Sequence, residues 1–301
     1  MSLDGLVVVD KPTGFTSLQV VNDVKHRLAD QAGLPAKKLK AGHAGTLDPM
    51  ATGVLVVGVG RATRLLGFIL GHDKQYLATI RLGQSTTTDD AEGEPIGQPI
   101  DATGVTDDAI AAGVAELTGD IQQVPSAVSA IKVDGKRAYT LARAGEQFQL
   151  SARSVNVSRF DVLTRHDVAR FVDLDVVVDC SSGTYIRALG RDLGARLGVG
   201  GHLTALRRTR VGAFDVDAAV APDDVTWARV ASLSDVVSRL FETVTVGAEE
   251  AAGISHGRAL GFAVAANPTA VLGPAGEFLA LYRSDGKRSV PVAVFVGGGS
   301  E

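Results

Sequence analysis

The chain contains one cysteine, Cys180, among its 301 residues. It can therefore form no internal disulfide and no CxxC zinc cluster, which favours a reducing compartment. It also lacks an apolar run of about 18 residues, the length of a membrane span. Its N-terminus has no charged segment followed by a continuous apolar stretch, as a signal peptide would. We therefore expect a cytoplasmic protein without a membrane anchor.

Several cofactor and catalytic motifs are also missing. The sequence has no GxxxxGK[ST] phosphate loop, and GVGRAT lacks the third glycine of a dinucleotide-binding fingerprint. It has no GxSxG elbow, and its six histidines are far apart with no HExxH pair. We expect no bound nucleotide cofactor and no metal site.

Aromatic residues are scarce at 5%, but 45% of the residues are hydrophobic and 21% are charged, which is enough for a packed core. The length suggests one large domain and one small one. The net charge of -4 argues weakly against nucleic acid, because phosphate binding depends on Lys and Arg. Two basic clusters oppose that argument, although either alone could be an ordinary solvated face. They are Lys37, Lys38 and Lys40, and Arg207, Arg208 and Arg210.

Local patterns in the first third predict short strands around a loop. Leu6 to Val9 reads as a buried strand that ends in a turn, and a helix with Ser17 as its cap follows. Residues 42–53 contain too many turn-forming residues for regular structure. The VLVVGVG run directly after them reads as a buried strand, so a rigidly held loop is expected there.

The middle of the chain mixes strands and helices without a regular βαβ alternation, which favours an α+β fold. Tyr76 to Leu82 and Phe171 to Val178 alternate as strands, whereas residues 83–99 predict a long exposed excursion. Residues 107–117 have helical periodicity, and a second helical run is expected within 124–145. Leu189, Leu193 and Leu197 indicate a further helix.

The last 60 or so residues change in character. Glycine becomes frequent, and short β runs such as EFLALYR and SVPVAVFV lie between turns. We predict a small all-β module.

One segment carries the strongest functional signal. The stretch GHAGTLDPMATGVLVVGVGRAT, with His43, Thr46, Asp48 and Arg61, resembles the active-site motif of the bacterial tRNA pseudouridine-55 synthase family, tRNA pseudouridine synthase B. The resemblance continues, in the family's order, through VDKPTGFTS, DKQYLATIRLGQSTTTDDAEG, QVPSAVSAIKVDGKRAYTLARAG and CSSGTYIRALGRDLGARLGVGGHLTALRRTRVGAF. In the tail, ISHGRALGF and GEFLALYRSDGKRSVPVAVF look like the PUA domain of many members.

This resemblance implies an α+β fold in two parts. Residues 1–243 would form the pseudouridine synthase catalytic domain, with a mixed, largely antiparallel sheet and a thumb at about 122–150. Residues 244–301 would form a β-rich, PUA-like RNA-binding domain. The implied activity is isomerisation of uridine to pseudouridine at position 55 in the T arm of tRNA, without a cofactor. The implied RNA partner is the T-arm stem-loop of tRNA. We expect no obligate protein partner, and we expect the enzyme to be a monomer.

The family motif assigns Asp48 as the essential carboxylate. Moving the ribose from N1 to C5 of uracil requires a carboxylate beside the sugar, as a nucleophile on C1′ or as a base for a C2′ proton, and the sequence leaves both routes open. In the family a basic residue pairs with this aspartate, and Arg187 matches it. A permanently charged arginine would hold the pKa of the carboxyl down. Read without the motif, Asp48 is a turn former before Pro49.

The remaining sites also follow from the resemblance. Tyr76 matches the tyrosine that packs on the flipped base and takes part in catalysis, and Tyr185 and Leu206 match further residues of the base pocket. His43 matches the residue at the vacated stack, and Lys11 matches the first motif, which braces the active-site loop. Val128 departs from the family, where many relatives have an aromatic residue. Basic residues suited to RNA phosphates are Lys132, Lys136, Arg137, Arg143, Arg207 and Arg208.

Two other classes of function remain open. A non-catalytic tRNA-binding or RNA-folding protein would share the basic clusters but would not need Asp48, Tyr76 and Arg187 together. A glycoside or nucleoside hydrolase would also use a carboxylate at an anomeric carbon, but normally with a second, positioned acid. The sequence shows no paired carboxylate motif near Asp48.

Overall fold

The computed structural model describes residues 3–127, 132–133, 136–137 and 150–296, and for 132–133 and 136–137 it describes the backbone alone. Within these residues the strands are β1 Gly5–Lys11, β2 Ala41–His43, β3 Thr52–Val59, β4 Lys74–Leu82, β5 Ser85–Thr86, β6 Pro95–Ile96, β7 Gly119–Gln123, β8 Lys132–Val133, β9 Lys136–Arg137, β10 Arg153–Val168, β11 Phe171–Cys180, β12 Gly201–Val211, β13 Phe214–Asp215, β14 Thr243–Thr245, β15 Thr269–Leu272, β16 Phe278–Asp285 and β17 Arg288–Val294. The α-helices are α1 Ser17–Gln31, α2 Leu66–Leu70, α3 Asp107–Glu116, α4 Ile186–Arg196, α5 Leu233–Leu240 and α6 Ala248–Ile254.

A nine-stranded sheet forms the larger part of the molecule. Seven strands follow the order β1-β3-β12-β4-β11-β10-β7, while β2 pairs with β3 and β13 pairs with β12. All the pairings are antiparallel except that of β12 with β3. The expected α+β class with a mixed, largely antiparallel sheet is therefore confirmed.

The two faces of this sheet have different chemistry because alternate side chains of a strand point to opposite faces. On one face, Ile80 and Leu82 of β4 pack with Ile110 of α3 and Leu189 of α4 in one buried cluster. On the other face, polar side chains bond across strands: Arg81 with Asp173, Thr79 with Asp175, and Gln75 with Asp179. In these central strands, α3 and α4 thus cover one face and leave the other polar.

Helix α1 begins one residue earlier than its expected cap implies. Thr16, in an extended conformation, accepts a hydrogen bond from the backbone N–H of Gln19, and the Gln19 side chain accepts from the backbone N–H of Thr16. This reciprocal pair is a capping box. The assignment of Ser17 as the cap was wrong: its hydroxyl accepts a hydrogen bond from the backbone N–H of Leu47, 2.9 Å away.

The segment 83–99 is not simply an exposed excursion, as the sequence indicated. Strands β5 and β6 pair within it, and Gln84, Thr86 and Asp90 are buried. Leu203 of β12 donates its backbone N–H to the carbonyl of Asp89 at 3.0 Å, which docks the segment on the central sheet. The turn formers therefore shape a loop that enters the interior.

A second sheet, in the order β14-β15-β16-β17, forms the C-terminal part and confirms the expected β-rich module. Its buried face is continuous with the large sheet: Phe278 and Phe295 belong to the same apolar cluster as Leu6 and Val54. Arg61 also donates to the carbonyl of Phe295 at 2.7 Å. The domain boundary at 243/244 remains a prediction.

The helical run expected within 124–145 lies largely outside the described residues, as does Val128. Of this segment the structure describes β8 paired antiparallel with β9. None of the helices in the described part of the chain is long and apolar enough to cross a membrane.

Candidate active site

Asp48 lies in the loop between β2 and β3, and this loop is tied to the N-terminal segment on both sides of the aspartate. Before it, Leu47 exchanges hydrogen bonds with the Ser17 hydroxyl. After it, the Pro49 carbonyl accepts from the backbone N–H of Gly14 at 2.8 Å and from Lys11 Nζ at 3.1 Å. The loop is thus held by neighbouring segments rather than by regular structure of its own, as the sequence predicted.

Two nitrogens of the Arg187 guanidinium contact the carboxylate of Asp48. Its Nε lies 2.9 Å from Oδ2, and its Nη2 donates to Oδ1 at 3.2 Å. Arg187 is the second residue of α4 and is buried, whereas about a third of the Asp48 side chain (35%) is exposed. The pairing expected from the resemblance is therefore present, with one side of the carboxylate still open.

Asp90 is a second carboxylate at the same arginine, and the sequence reasoning missed it. Its Oδ2 lies 3.2 Å from Nη1 of Arg187, and that nitrogen also donates to the Thr88 carbonyl at 2.7 Å. Asp90 is itself held by the backbone N–H of Glu92 and by the Thr88 hydroxyl. The TTTDD run was the available signal, but it was read as exposed loop.

The pKa of Asp48 is raised above its ordinary value. Burial raises it most, the charge of Arg187 lowers it, and the charge of Asp90 raises it again. Arg187 lowers this pKa as expected, through its charge and its hydrogen bond, but enclosure of the carboxylate outweighs that effect, so the net shift of the pKa is upward. Arg187 limits the rise and orients the carboxylate through its two bonds.

A cleft of about 490 Å³ opens beside this ion pair. Tyr76 of β4, Leu206 of β12 and Tyr185 line it together with Asp48 and Arg187. Tyr76 is buried, and burial raises the pKa of its hydroxyl. The structure therefore brings these five predicted residues to one cavity.

Tyr185, just before α4, is fixed by a buried amide. Its backbone N–H donates to Oε1 of Gln123 at 2.8 Å, and Nε2 of Gln123 donates back to the Tyr185 carbonyl at 3.1 Å. Gln123 is the last residue of β7 and is almost fully buried. It was not singled out from the sequence, where an isolated glutamine gives no signal.

His43 and Lys11 do not line the cleft. His43 ends β2, where burial, and secondarily the charge of Arg208, lower its pKa. Lys11 is fully buried and donates to the carbonyls of Pro12, Phe15 and Pro49. Its ammonium is enclosed by these backbone carbonyls and braces the Asp48 loop, as the first motif implies. The resemblance also places Lys11 among the substrate-binding residues, and that remains a prediction.

Arg207 and Arg208 do not form one basic surface. Arg207 is partly exposed and pairs with Asp10 at 2.7 Å. Arg208 is 1% exposed, and its guanidinium donates to the carbonyls of Val54 and Gly45 at 2.8 and 3.0 Å. Neighbours on a strand point to opposite faces, and Arg208 points inward, where it lines the cleft together with Tyr76 and Asp48. RNA contact by Arg207 and by Arg208 remains a prediction.

RNA contact by the thumb cations remains a prediction. Lys132, Lys136 and Arg137 belong to β8 and β9, but their side chains lie outside the described residues, and so does Arg143. Among residues 3–127 and 150–296, no three His, Cys, Asp or Glu side chains are grouped as metal ligands would be.

The sequence shows no paired carboxylate motif near Asp48, but the fold brings Asp90 to the same arginine. Arg187 stands between the two acids, and the Asp90 side chain is only 4% exposed. A hydrolytic acid must reach the leaving group or a water molecule. Asp90 is enclosed and bound to arginine, so it fits a supporting role better than that of a second catalytic acid.

Comparison with protein families gives matches along most of the chain. The family "TruB family pseudouridylate synthase (N terminal domain)" matches residues 34–186. "tRNA pseudouridylate synthase B C-terminal domain" matches residues 187–243, and "tRNA Pseudouridine synthase II, C terminal" matches residues 241–296.

Individual relatives extend this similarity to nearly full length. The chain is 53% identical over 293 residues to tRNA pseudouridine synthase B of Cutibacterium acnes, covering 94% of both chains. It is 54% identical to that of Rhodococcus jostii, covering 96% of this chain and 93% of the relative. Among solved structures, the archaeal box H/ACA sRNP Nop10-Cbf5 complex matches with a TM-score of 0.67 at 26% identity, over 97% of this chain and 86% of that one.

Proposed function

The chain belongs to the TruB family of pseudouridylate synthases, and on that premise we propose that this pseudouridine synthase acts on the uridine at position 55 in the T arm of tRNA. Relatives that are 53% and 51% identical in sequence are named tRNA pseudouridine synthase B. The observation that carries the proposal is the carboxylate of Asp48, gripped on one side by Arg187 and open on the other to a cleft lined by Tyr76.

The reaction needs only groups that this cleft contains. The bond from ribose C1′ to N1 of uracil breaks, and a bond from C1′ to C5 forms. The proton on C5 leaves and N1 gains a proton, so no electrons are exchanged with a cofactor. Asp48 serves either as nucleophile on C1′ or as base for the C2′ proton, and in both routes it must be ionised. Arg187 orients it for that role.

The base must reach Asp48 from within a folded RNA loop. Extruding it costs a few kcal/mol of unstacking, which contacts in the enzyme must offset. The cleft of about 490 Å³ is within the range of small-ligand sites. We assign Tyr76 to the face of the flipped base, and Tyr185 and Leu206 to its remaining contacts. His43, outside the cleft, is proposed to occupy the stack that the base leaves.

The RNA outside the cleft would be held by two other regions. The thumb, at about 122–150, carries Lys132, Lys136, Arg137 and Arg143, whose charges suit the phosphates of the stem-loop. The C-terminal sheet is proposed to be a PUA-like module, residues 244–301, that contacts the acceptor stem. We propose that the enzyme works as a monomer in the cytoplasm, without a cofactor.

The decisive experiment uses the purified chain and a T-arm stem-loop transcript. Incubation should convert the uridine at position 55 to pseudouridine. Because the two isomers have the same mass, the product is identified after digestion to nucleosides by its different chromatographic retention. A hydrolase would instead release free uracil, and a non-catalytic RNA-binding protein would leave the transcript unchanged. Either result would contradict the proposal.

A further inference from the structure

Arg208 is a buried cation on the wall of the cleft, and the proposed function gives it no role. Its Nε donates to the carbonyl of Val54 at 2.8 Å, and its Nη2 donates to that of Gly45 at 3.0 Å. In the part of the chain that the structure describes, no carboxylate lies within ion-pair distance of it. A buried guanidinium without a counter-ion is costly. The hydrogen bonds from Arg208 to these two carbonyls must offset that cost.

The two carbonyls belong to the backbone on either side of the catalytic aspartate. Gly45 precedes Asp48 by three residues in the β2–β3 loop, and Val54 follows it in β3. Arg208 itself lies on β12, directly opposite Tyr76 in the β4–β12 register. Cross-strand neighbours of this kind have side chains on the same face. One guanidinium therefore connects the loop of Asp48 to the strand pair that carries Tyr76.

Two glycines allow this close approach. Gly45 has a φ of +96°, and a Cβ there would lie 3.4 Å from Nη1 of Arg208. Gly53 has a φ of +100°, and a Cβ there would lie 2.1 Å from the backbone oxygen of Arg208. A side chain at Gly53 would push β12 away from the loop. The backbone is thus shaped to bring the Arg208 segment against the Asp48 loop.

We propose that Arg208 is a positioning residue for pseudouridine formation, which fixes the distance between the carboxylate of Asp48 and the ring of Tyr76 by bonding both flanks of the Asp48 loop from β12. This inference rests on the proposed function. It assigns Arg208 no contact with RNA.

The charge of Arg208 also acts on Tyr76. Burial raises the pKa of the Tyr76 hydroxyl, Arg208 lowers it, and the charges of Cys180 and Asp48 raise it. Arg208 therefore favours ionisation of Tyr76, the residue assigned to the face of the flipped base. This effect accompanies the geometric role.

The test compares Arg208→Lys and Arg208→Gln with the wild-type chain in single-turnover assays on the T-arm stem-loop. Lysine keeps the charge but cannot bond two carbonyls with a rigid fork, and glutamine loses the charge. We expect kcat to fall in the order wild type, lysine, glutamine. The glutamine variant should lose about 100-fold, the scale expected when reacting groups move by about 1 Å. The RNA Kd should stay within threefold.

Arg81 provides the matched control. It lies on β4, its Nε and Nη2 bond the carboxylate of Asp173, and it does not line the cleft. Arg81→Lys and Arg81→Gln also remove a two-pronged guanidinium contact and should lower Tm without lowering kcat. A role of Arg208 in general stability would instead make the two series equivalent.

Three results would overturn the inference. The first is wild-type kcat in a folded Arg208→Gln variant. The second is an equal loss of kcat in the Arg81 and Arg208 series at matched Tm. The third is failure of both Arg208 variants to fold, which would make Arg208 a folding residue. Absence of pseudouridine with the wild-type chain would instead reject the proposed function itself.

Discussion

Asp90 contacts Nη1 of Arg187 at 3.2 Å, while Asp48 contacts Nε and Nη2 of the same guanidinium. The Asp90 and Arg187 side chains are equally buried, at 4% exposure, whereas Asp48 is partly open. Arg187 is therefore shared between an enclosed carboxylate and an accessible one. The enclosed carboxylate limits how Arg187 can turn, and its charge also acts on Asp48.

Replacing Asp90 by Asn should shift the acid limb of the pH–rate profile to lower pH. Burial and the charge of Asp90 both raise the pKa of Asp48. Removing that charge, and with it a competitor for Arg187, should make Asp48 easier to ionise. Because the ionised form is the active one, activity should persist to more acidic pH, measured by single-turnover rates across the acid range. An acid limb that stays in place or moves to higher pH would contradict this coupling.

Asp48→Asn should abolish pseudouridine formation while changing the RNA Kd by less than about tenfold, or roughly 1.4 kcal/mol. The amide is similar in size but is neither a nucleophile nor a base at this site. Filter binding and product analysis on the same preparation measure the two effects. Normal turnover by the purified variant would remove Asp48 from the mechanism.

Gln123→Leu should destabilise the start of α4. It leaves the backbone N–H and carbonyl of Tyr185 without their present partner, and each unsatisfied buried group costs about 1–3 kcal/mol. Denaturant unfolding should show the loss, and kcat should fall because Arg187 is two residues further on. Gln31→Leu is the control. Gln31 also bonds a carbonyl and an N–H, those of Val225 and Trp227, and none of these three residues lines the cleft. Equal effects of both variants on kcat would refute the assignment.

Lys136→Ala combined with Arg137→Ala should weaken binding to the isolated T-arm stem-loop, and the loss should shrink as salt rises. Each phosphate contact removed lowers the slope of log affinity against log salt by about one. Titrations at several salt concentrations give that slope. An unchanged slope would place these cations away from phosphate.

Substitutions on the C-terminal sheet should distinguish two RNAs. Arg283 and Lys287 are exposed there, so Arg283→Ala with Lys287→Ala should weaken binding to full-length tRNA and spare the stem-loop. Surface substitution is preferable to deletion because Phe278 and Phe295 share a core with the large sheet. Equal weakening with both RNAs would argue against a separate acceptor-stem contact.

Much of the fold was predictable because local periodicity is strong where strands and helices bury one face. The alternation in 171–178 predicted β11, and the periodicity of 107–117 predicted α3 to within a residue. Prediction failed where side-chain partners are distant in sequence. The hydroxyl of Ser17 bonds Leu47, a contact 30 residues away that no local pattern indicates.

For the site, too, local sequence patterns were predictive and contacts between distant segments were not. The motif located Asp48, and the resemblance named Arg187, because both lie in recognisable segments. Asp90 was hidden because a loop rich in Thr, Asp and Gly has the same composition whether or not it folds inward. The burial of Arg208 was missed because charge was counted along the chain. The alternation of β12, which separates Arg207 from Arg208, would have placed one of them inside.

The apolar cluster that joins Leu6 and Val54 to Phe278 and Phe295 makes the two sheets thermodynamically interdependent. Separately folding modules can lose one unit and retain the other, but a common interior couples the stability of both. Loss of packing around Phe278 would expose side chains of β1 and β3, the strands next to the loop of Asp48. A C-terminal sheet of this design cannot be exchanged between enzymes without repacking the larger sheet, so cooperativity constrains its sequence independently of any contact with RNA.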